Sequence, residues 1–238
     1  MAWKFIVTVL ASYLVGSINP SYIFGRLKGI DIRRQGSGNA GASNATVVLG
    51  KAVGIFSAVF DIAKAFGVML LFPVIFKGVP YLAECAGVAA IIGHIFPVFM
   101  NFRGGKGLAC LGGLLLAIDP RLFAVVLAAE IVLLLLSNYI CIVPITASIL
   151  VPILYGVFGA DGLDILWHAE GGWRGAAIIA IATVVMLLRH LENIKRIATG
   201  KEMHFSYVFM NEEDRKKELI RIGKLAEHEE LTEKFEKA

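Results

Sequence analysis

Seven apolar stretches, near residues 3–24, 52–76, 79–100, 107–118, 121–137, 140–160 and 173–188, leave this chain little choice of fold. No water reaches a peptide group inside hydrocarbon, so a stretch that crosses a bilayer must close its hydrogen bonds internally, as a helix. A crossing needs about 20 residues to span a core of ~30 Å. The fourth and seventh stretches are short, and Gly107–Ile118 predicts a half-helix or a segment running partly through protein-lined space. Apolar side chains make up 57% of the 238 residues, above the roughly 45–50% of soluble domains. The expectation is an all-α integral membrane protein with seven transmembrane helices.

Basic residues in short loops set the orientation, because they stay on the cytoplasmic side. The segment 25–51 carries Arg26, Lys28, Arg33, Arg34 and Lys51, and the loop 101–107 carries Arg103 and Lys106. Arg189, Lys195, Arg196 and Lys201 follow the last span, whereas 161–172 holds Asp161, Asp164 and Glu170 with no Lys or Arg. Seven crossings put the three basic segments on one face, which predicts an outside N-terminus and a cytoplasmic C-terminus. The first span lacks a small-residue cleavage site and reads as a retained helix. Cys85, Cys110 and Cys141 show no paired spacing, so neither a disulfide framework nor a zinc site is indicated. From residue 203 the composition changes to mixed charge with a helical apolar period, including Leu219, Ile220, Ile222 and Leu225. The chain thus divides into a membrane domain, 1–202, and a charged tail, 203–238, expected to form an amphipathic helix on the membrane or on the loops above it.

Three polar clusters share the cytoplasmic face in this topology. Asn101-Phe102-Arg103-Gly104-Gly105-Lys106-Gly107 pairs two cations with glycines that let backbone N–H groups crowd around an anion. The plainer alternative makes the charges topology anchors and the glycines a tight turn. It is not a P-loop, since the Gly-x-x-x-x-Gly-Lys-Ser/Thr pattern is absent. Gln35-Gly36-Ser37-Gly38-Asn39-Ala40-Gly41-Ala42-Ser43-Asn44 is either a flexible turn or an anion site ahead of a helix N-terminus. Arg189-His190-Leu191-Glu192-Asn193-Ile194-Lys195-Arg196 follows the last span. If the helix continues, His190, Asn193 and Ile194 share one face and Glu192 pairs with Arg196 on another. The alternative there is a set of headgroup anchors with His190 a bystander.

Charges inside the spans are costly and call for partners. Asp61 and Lys64, three apart, predict a neutralising pair. Glu84 and Glu130 lie toward the outer ends of their spans and are read as reaching water. His94 in Gly93-His94-Ile95-Phe96-Pro97 reads as a hydrogen-bonded core histidine.

In order and spacing these clusters resemble the bacterial acyl-phosphate-dependent glycerol-3-phosphate acyltransferases, the PlsY family. The resemblance runs over roughly residues 10–200. It takes in Gly16-Ser17-Ile18-Asn19-Pro20, the Gly36–Asn44 loop, Phe60-Asp61-Ile62-Ala63-Lys64, Gly93–Phe99 with Arg103–Gly107, and Arg189–Ile194. It implies a multi-pass enzyme of the bacterial cytoplasmic membrane, its site facing the cytoplasm. Such an enzyme moves a fatty acyl group from acyl phosphate to the sn-1 hydroxyl of glycerol 3-phosphate, the first step of phospholipid biosynthesis. Its partners would be these two substrates and membrane lipids, with no cofactor, metal or nucleic acid.

Carried onto this sequence, the resemblance implies catalytic roles for Ser37, Lys106, His190 and Asn193. It implies phosphate or substrate binding by Gly38, Asn39, Asn44, Arg103, Gly104, Gly105, Gly107 and Cys141. His190 would position a substrate or act as general base. Two positions depart from the family pattern. Val47 stands where an arginine is usual, and Cys141 where a serine is common in the run Ser137-Asn138-Tyr139-Ile140-Cys141. Valine cannot replace a bidentate cation, so Arg33, Arg34 or Lys51 would have to take over, or the ligand differs. An organic-phosphate transporter and a non-catalytic paralogue with another phosphorylated ligand are the competing readings.

Overall fold

The computed structural model describes residues 1–158, 172–223 and 225–226, and no strand occurs among them. Four segments are long and apolar enough to cross a membrane: Ala2–Leu27, Lys51–Ile75, Leu82–Met100 and Pro120–Ser137. A fifth is the bent pair Gly172–Leu188 and Leu191–Ala198, and Leu108–Ile118 and Ile142–Phe158 are shorter apolar helices. These segments coincide with the seven apolar stretches of the sequence. The acidic stretch 161–172, used to orient the chain, lies almost wholly outside the described residues.

Helix α1 (Ala2–Gly16) gives way to α2 (Pro20–Leu27) at a break explained by three residues. Asn19 accepts the Tyr22 N–H at 2.9 Å as N-cap, Pro20 occupies the first helical position, and the Ser17 hydroxyl donates to the Tyr13 carbonyl at 2.8 Å. Helix α3 (Ala42–Leu49), which the sequence did not predict, leads into α4 (Lys51–Ile75). Helix α5 (Leu82–Ile95) is the centre of the bundle, packed by α1, α4, α6 (Leu108–Ile118) and α9 (Gly172–Leu188). A Cβ on Gly93 would strike the Tyr13 carbonyl, so α1 and α5 meet backbone to backbone. Without a hydrophobic driving force in lipid, such close approach is what holds helices together.

Helix α7 (Pro120–Ser137) shows the opposite character, with only 11% of its apolar window buried. Leu135 and Leu136 are 65% and 80% exposed, a surface that water would not tolerate and lipid would. Two acidic residues depart from expectation. Glu84 is fully buried and receives the Tyr155 hydroxyl at 2.5 Å, and Glu130 is buried beneath Thr146, whose hydroxyl donates at 2.7 Å. Neither reaches water; each faces α8 (Ile142–Phe158), because a polar group inside a bundle finds a partner on the next helix.

The chain turns after α9, and α10 (Leu191–Ala198) leaves at 43°. The helix therefore does not continue through His190, which caps α10, and Ile194 does not share its buried environment. Residues 203–223 fold back on the loops, ending in α11 (Glu212–Ile222).

Candidate active site

Lys106 lies in the loop between α5 and α6, and its ammonium donates to Asn193 Oδ1. Asn193, buried on the first turn of α10, donates through Nδ2 to Glu202 Oε1 at 2.7 Å. Arg196 Nε donates to the other oxygen of Glu202 at 2.6 Å, in addition to a 3.7 Å pair with exposed Glu192. The Cys141 thiol lies close to the same carboxylate. Lys106, Asn193, Arg196 and Glu202 thus form one network with Cys141 beside it, and Lys106, Asn193 and Cys141 are among the positions singled out from sequence. Glu202 was missed, since its role depends on how the chain folds back after α10.

Burial and the Arg196 and Arg189 guanidinium groups pull the Lys106 ammonium down to about 8, against the opposing effect of Glu202. At neutral pH it remains a cation, held in a site where a desolvated charge acts strongly on an anion. His190 is buried, and its Nδ1 lies 2.7 Å from the Met186 carbonyl. A carbonyl only accepts, so Nδ1 carries the proton and Nε2 keeps its lone pair. Burial, with Lys106 and Arg189 nearby, holds the imidazole down to about 4, so it stays neutral. Burial and Glu202 push the Cys141 thiol up to about 12. It is no thiolate nucleophile at working pH.

The glycines of the Lys106 loop do something other than cradle an anion. The N–H of Gly104 donates to Ile95 O and that of Gly105 to His94 O, both at 3.1 Å, which removes both donors from ligand binding. A Cβ on Gly104 would strike the His94 carbonyl, and one on Gly105 the His94 imidazole. These glycines serve close packing against the end of α5. Gly107 starts α6 without a side-chain cap, so the uncapped first-turn N–H groups remain for an anion. Arg103 is exposed beside them.

Beneath this loop lies a buried ionic cluster. Lys64 Nζ is 2.7 Å from Asp61 Oδ1, 3.2 Å from His94 Nδ1, and donates to the Ile18 carbonyl at 2.7 Å. His94 Nδ1 is also 3.2 Å from Asp61 Oδ1. Asp61, His94 and Cys110 offer ligand atoms within 4.8 Å of one another, but the Lys64 ammonium already sits on that carboxylate, which disfavours a second cation. The cluster joins α4, α5 and the α1–α2 break under the Lys106 loop.

In the other glycine-rich loop Asn44 is buried and fully committed. Its Nδ2 donates to the Ile32 and Gln35 carbonyls at 3.0 Å and its Oδ1 accepts the Ser37 N–H at 2.9 Å. Asn44 therefore shapes the loop and has no donor left for a phosphate. Ser37 and Gly38 are exposed, and Asn39 is half-buried. Arg33 ties this loop to the other one, donating to the Met100 carbonyl at 2.7 Å while its Nε and Nη2 hold Asp31 at 2.9 and 2.8 Å. Its guanidinium is thus occupied and does not stand in for an arginine at Val47, which is half exposed on α3.

The glycerol-3-phosphate acyltransferase family model matches residues 6–200. The chain belongs to that family. A glycerol-3-phosphate acyltransferase of Chlorobaculum tepidum is 36% identical over 227 residues, covering 85% of this chain and 97% of the relative. One of Desulforudis audaxviator is 37% identical over 203 residues, covering 85% and 96%. Among solved structures, the fold matches PlsY (YgiH), an integral membrane glycerol 3-phosphate acyltransferase crystallised in its glycerol 3-phosphate form. That match has a TM-score of 0.76 at 30% identity, covering 86% of this chain and 96% of that one. Its lysophosphatidic acid form aligns with a TM-score of 0.72.

Proposed function

We propose that this acyltransferase moves a fatty acyl group from acyl phosphate to the sn-1 hydroxyl of glycerol 3-phosphate, releasing lysophosphatidic acid and inorganic phosphate. The observation that carries the reading is the Lys106 ammonium set on Asn193 beside neutral His190. Both substrates bring phosphate, and this is a partly desolvated cation with neutral hydrogen-bonding groups around it.

Attack is direct. The acceptor oxygen bonds to the acyl carbon, the acyl C–O bond to phosphate breaks, and the hydroxyl proton must leave as the new ester forms. Cys141, held as a thiol, does not intervene. His190 at about 4 is a weaker base than a phosphate monoester, whose second pKa is about 6. Substrate phosphate is then the better proton acceptor, and His190 a positioning group using Nε2. Lys106 offsets charge on the phosphate, and Asn193 orients the lysine. Ser37, Gly38, Asn39 and Arg103 form the solvent side of the site, with Gly107 at the uncapped start of α6.

The same reading assigns seven crossings, with the shorter α6, α8 and α9 completing the set and α10 on the cytoplasmic side, an outside N-terminus and a cytoplasmic C-terminus. It places the enzyme in the bacterial cytoplasmic membrane with residues 1–202 as the acyltransferase domain. Lysophosphatidic acid formation by the purified protein in lipid, from acyl phosphate and glycerol 3-phosphate without metal or acyl-CoA, is the test. No product above a heat-killed control would overturn the proposal, and glycerol 3-phosphate uptake into sealed vesicles would favour a transporter. A Val47→Arg variant run alongside asks whether the missing guanidinium limits the rate.

A further inference from the structure

The segment after Glu202 lies beyond the residues that the family model matches, yet its hydrogen bonds run back to the site. Arg221, on the last turn of α11, donates to the backbone carbonyls of Gly200 and Glu202, the latter at 2.6 Å. The same guanidinium holds Glu218 with two bonds, at 2.8 and 2.6 Å, and Glu218 in turn accepts the His204 N–H at 3.0 Å. From His204 the contacts form a ring, continuing across to the turn after α7. The Phe205 N–H donates to Asn138 O at 2.7 Å, the Ser206 N–H to Asn138 Oδ1 at 2.8 Å, and Tyr139 lies against the His204 ring with centroids 5.1 Å apart. Three residues beyond Asn138 the turn reaches Cys141, whose thiol lies close to the Glu202 carboxylate. The ring thus starts at Glu202, the residue that holds Asn193 and, through it, Lys106, and returns beside it.

We infer that Arg221 is a positioning residue for acyl transfer: by fixing the backbone at Gly200–Glu202 it sets the Glu202 carboxylate that orients Asn193 and Lys106. Several features are built for that task. An isolated helix of 11 residues is marginal in water, so α11 owes its order to what it docks on, and Glu218 and Leu219 are its buried residues. Its start is capped, with Asn211 Oδ1 accepting the Asp214 N–H at 2.9 Å, and its end turns at Gly223. The planar guanidinium reaches two carbonyls and a carboxylate together, a pattern lysine reproduces only in part.

The charged and titratable groups around Lys106 are Arg189, His190, Arg196 and Glu202 from 189–202 and Cys141 from the 137–141 turn. Of these Glu202 favours the protonated lysine. If the ring opens and Glu202 moves away, the lysine loses that support and deprotonates at lower pH.

The inference rests on the acyl-transfer reading, so its test includes a readout that needs no turnover. Full-length Arg221→Ala and Arg221→Lys are compared with wild type for kcat, KM, the alkaline limb of kcat/KM, and maleimide labelling of Cys141 measured by mass spectrometry. Cys85 and Cys110 serve as internal controls. Arg221→Ala is expected to lower kcat about tenfold or more, because small misplacements of a catalytic group cost that much. It should shift the alkaline limb to lower pH and speed Cys141 labelling several-fold with the other cysteines unchanged, while Arg221→Lys recovers part of each. Wild-type kcat, pH limb and Cys141 labelling in a folded Arg221→Ala protein would overturn the inference, as would labelling that rises equally at all three cysteines. If Arg221→Ala does not accumulate, Glu218→Gln, which weakens the grip on the guanidinium, is read by the same three measures. Inactive wild type with a selective rise at Cys141 would overturn the acyl-transfer reading and leave the ring standing.

Discussion

The two glycine-rich loops look alike in sequence and use glycine for different ends. In Arg103–Gly107 the glycines at 104 and 105 are pressed against His94, and their N–H groups are bound to the end of α5. In Gly36–Gly41 the glycines at 36 and 38 adopt left-handed backbone, with φ of 59° and 72°, and Asn44 ties the loop from within. The first loop is therefore anchored on a buried ionic cluster deep in the bundle, and the second on one amide and a small apolar cluster around Ile32, Ala40 and Met100. A run of glycines reports that backbone comes close to something; it does not say whether that is a ligand or another part of the chain.

The sharpest way to break the contrast is to remove the cation of the first loop. Lys106→Ala should lower kcat/KM by about 10²–10³-fold, the range for loss of one preorganised electrostatic group, while insertion and thermal stability stay near wild type. Near-normal activity would mean that the lysine only sets topology. Gly105→Ala should reach a comparable loss by another route, since the methyl group must displace the His94 ring and so loosen the Asp61–Lys64–His94 cluster as well. Here a lowered melting temperature accompanies the lost activity, and an unchanged one would refute the packing role.

Much of this was legible in the sequence, for identifiable reasons. Apolar runs of membrane length must be helices, so the helices lie where the runs do, and the Asp61–Lys64 pair followed from the cost of a lone charge in hydrocarbon. Lys106, His190, Asn193 and Cys141 were marked from sequence and lie in or beside one network. Glu84 and Glu130 were misread because their partners, Tyr155 and Thr146, come from a helix remote from Glu84 and from the next one after Glu130; linear position says nothing about which face meets which. Asn44 was misread as a ligand because an amide that binds a phosphate and one that binds its own loop have the same letter. Glu202 and Arg221 were not singled out because the helical period after residue 203, which predicted a helix on the membrane or on the loops, does not say which side chains meet when it docks.

In the second loop the separation between shape and chemistry predicts two different phenotypes. Asn44→Ala removes three hydrogen bonds, leaving the Ser37 N–H without its partner and the Ile32 and Gln35 carbonyls with one backbone bond each, a loss of about 1–3 kcal/mol for the unsatisfied group. Its melting temperature and its activity should fall together. Ser37→Ala touches an exposed hydroxyl and should leave stability unchanged, so any loss of activity it shows belongs to the substrate. If Ser37→Ala lowered the melting temperature as far as Asn44→Ala, the assignment of shape to Asn44 would be wrong.

Acidity separates the loops as well. With Lys106 held near 8, the fraction carrying a proton falls above that pH, so kcat/KM should decline about tenfold per unit on the alkaline side. A profile flat to pH 10 would contradict the role of the ammonium. Because His190 is held near 4, no acid limb from its protonation should appear between pH 5 and 7.

The mildest test concerns the left-handed glycine of the second loop. Gly38→Ala places a Cβ at φ of 72°, where its nearest neighbour is the Arg33 carbonyl at 3.3 Å. Left-handed backbone costs a residue with a Cβ roughly 1–2 kcal/mol, and the exposed loop gives room to relax toward the lower end of that range. A small fall in melting temperature with a modest rise in KM is the expected result. The corresponding change at Gly105 has no such room, because its obstacle is a buried ring held by Asp61 rather than a carbonyl at the surface. The ratio of the two effects therefore measures how far each loop can yield. Equal effects at Gly38 and Gly105 would mean that the two loops are equally rigid, and that the ionic cluster under the first adds nothing to its hold on Lys106.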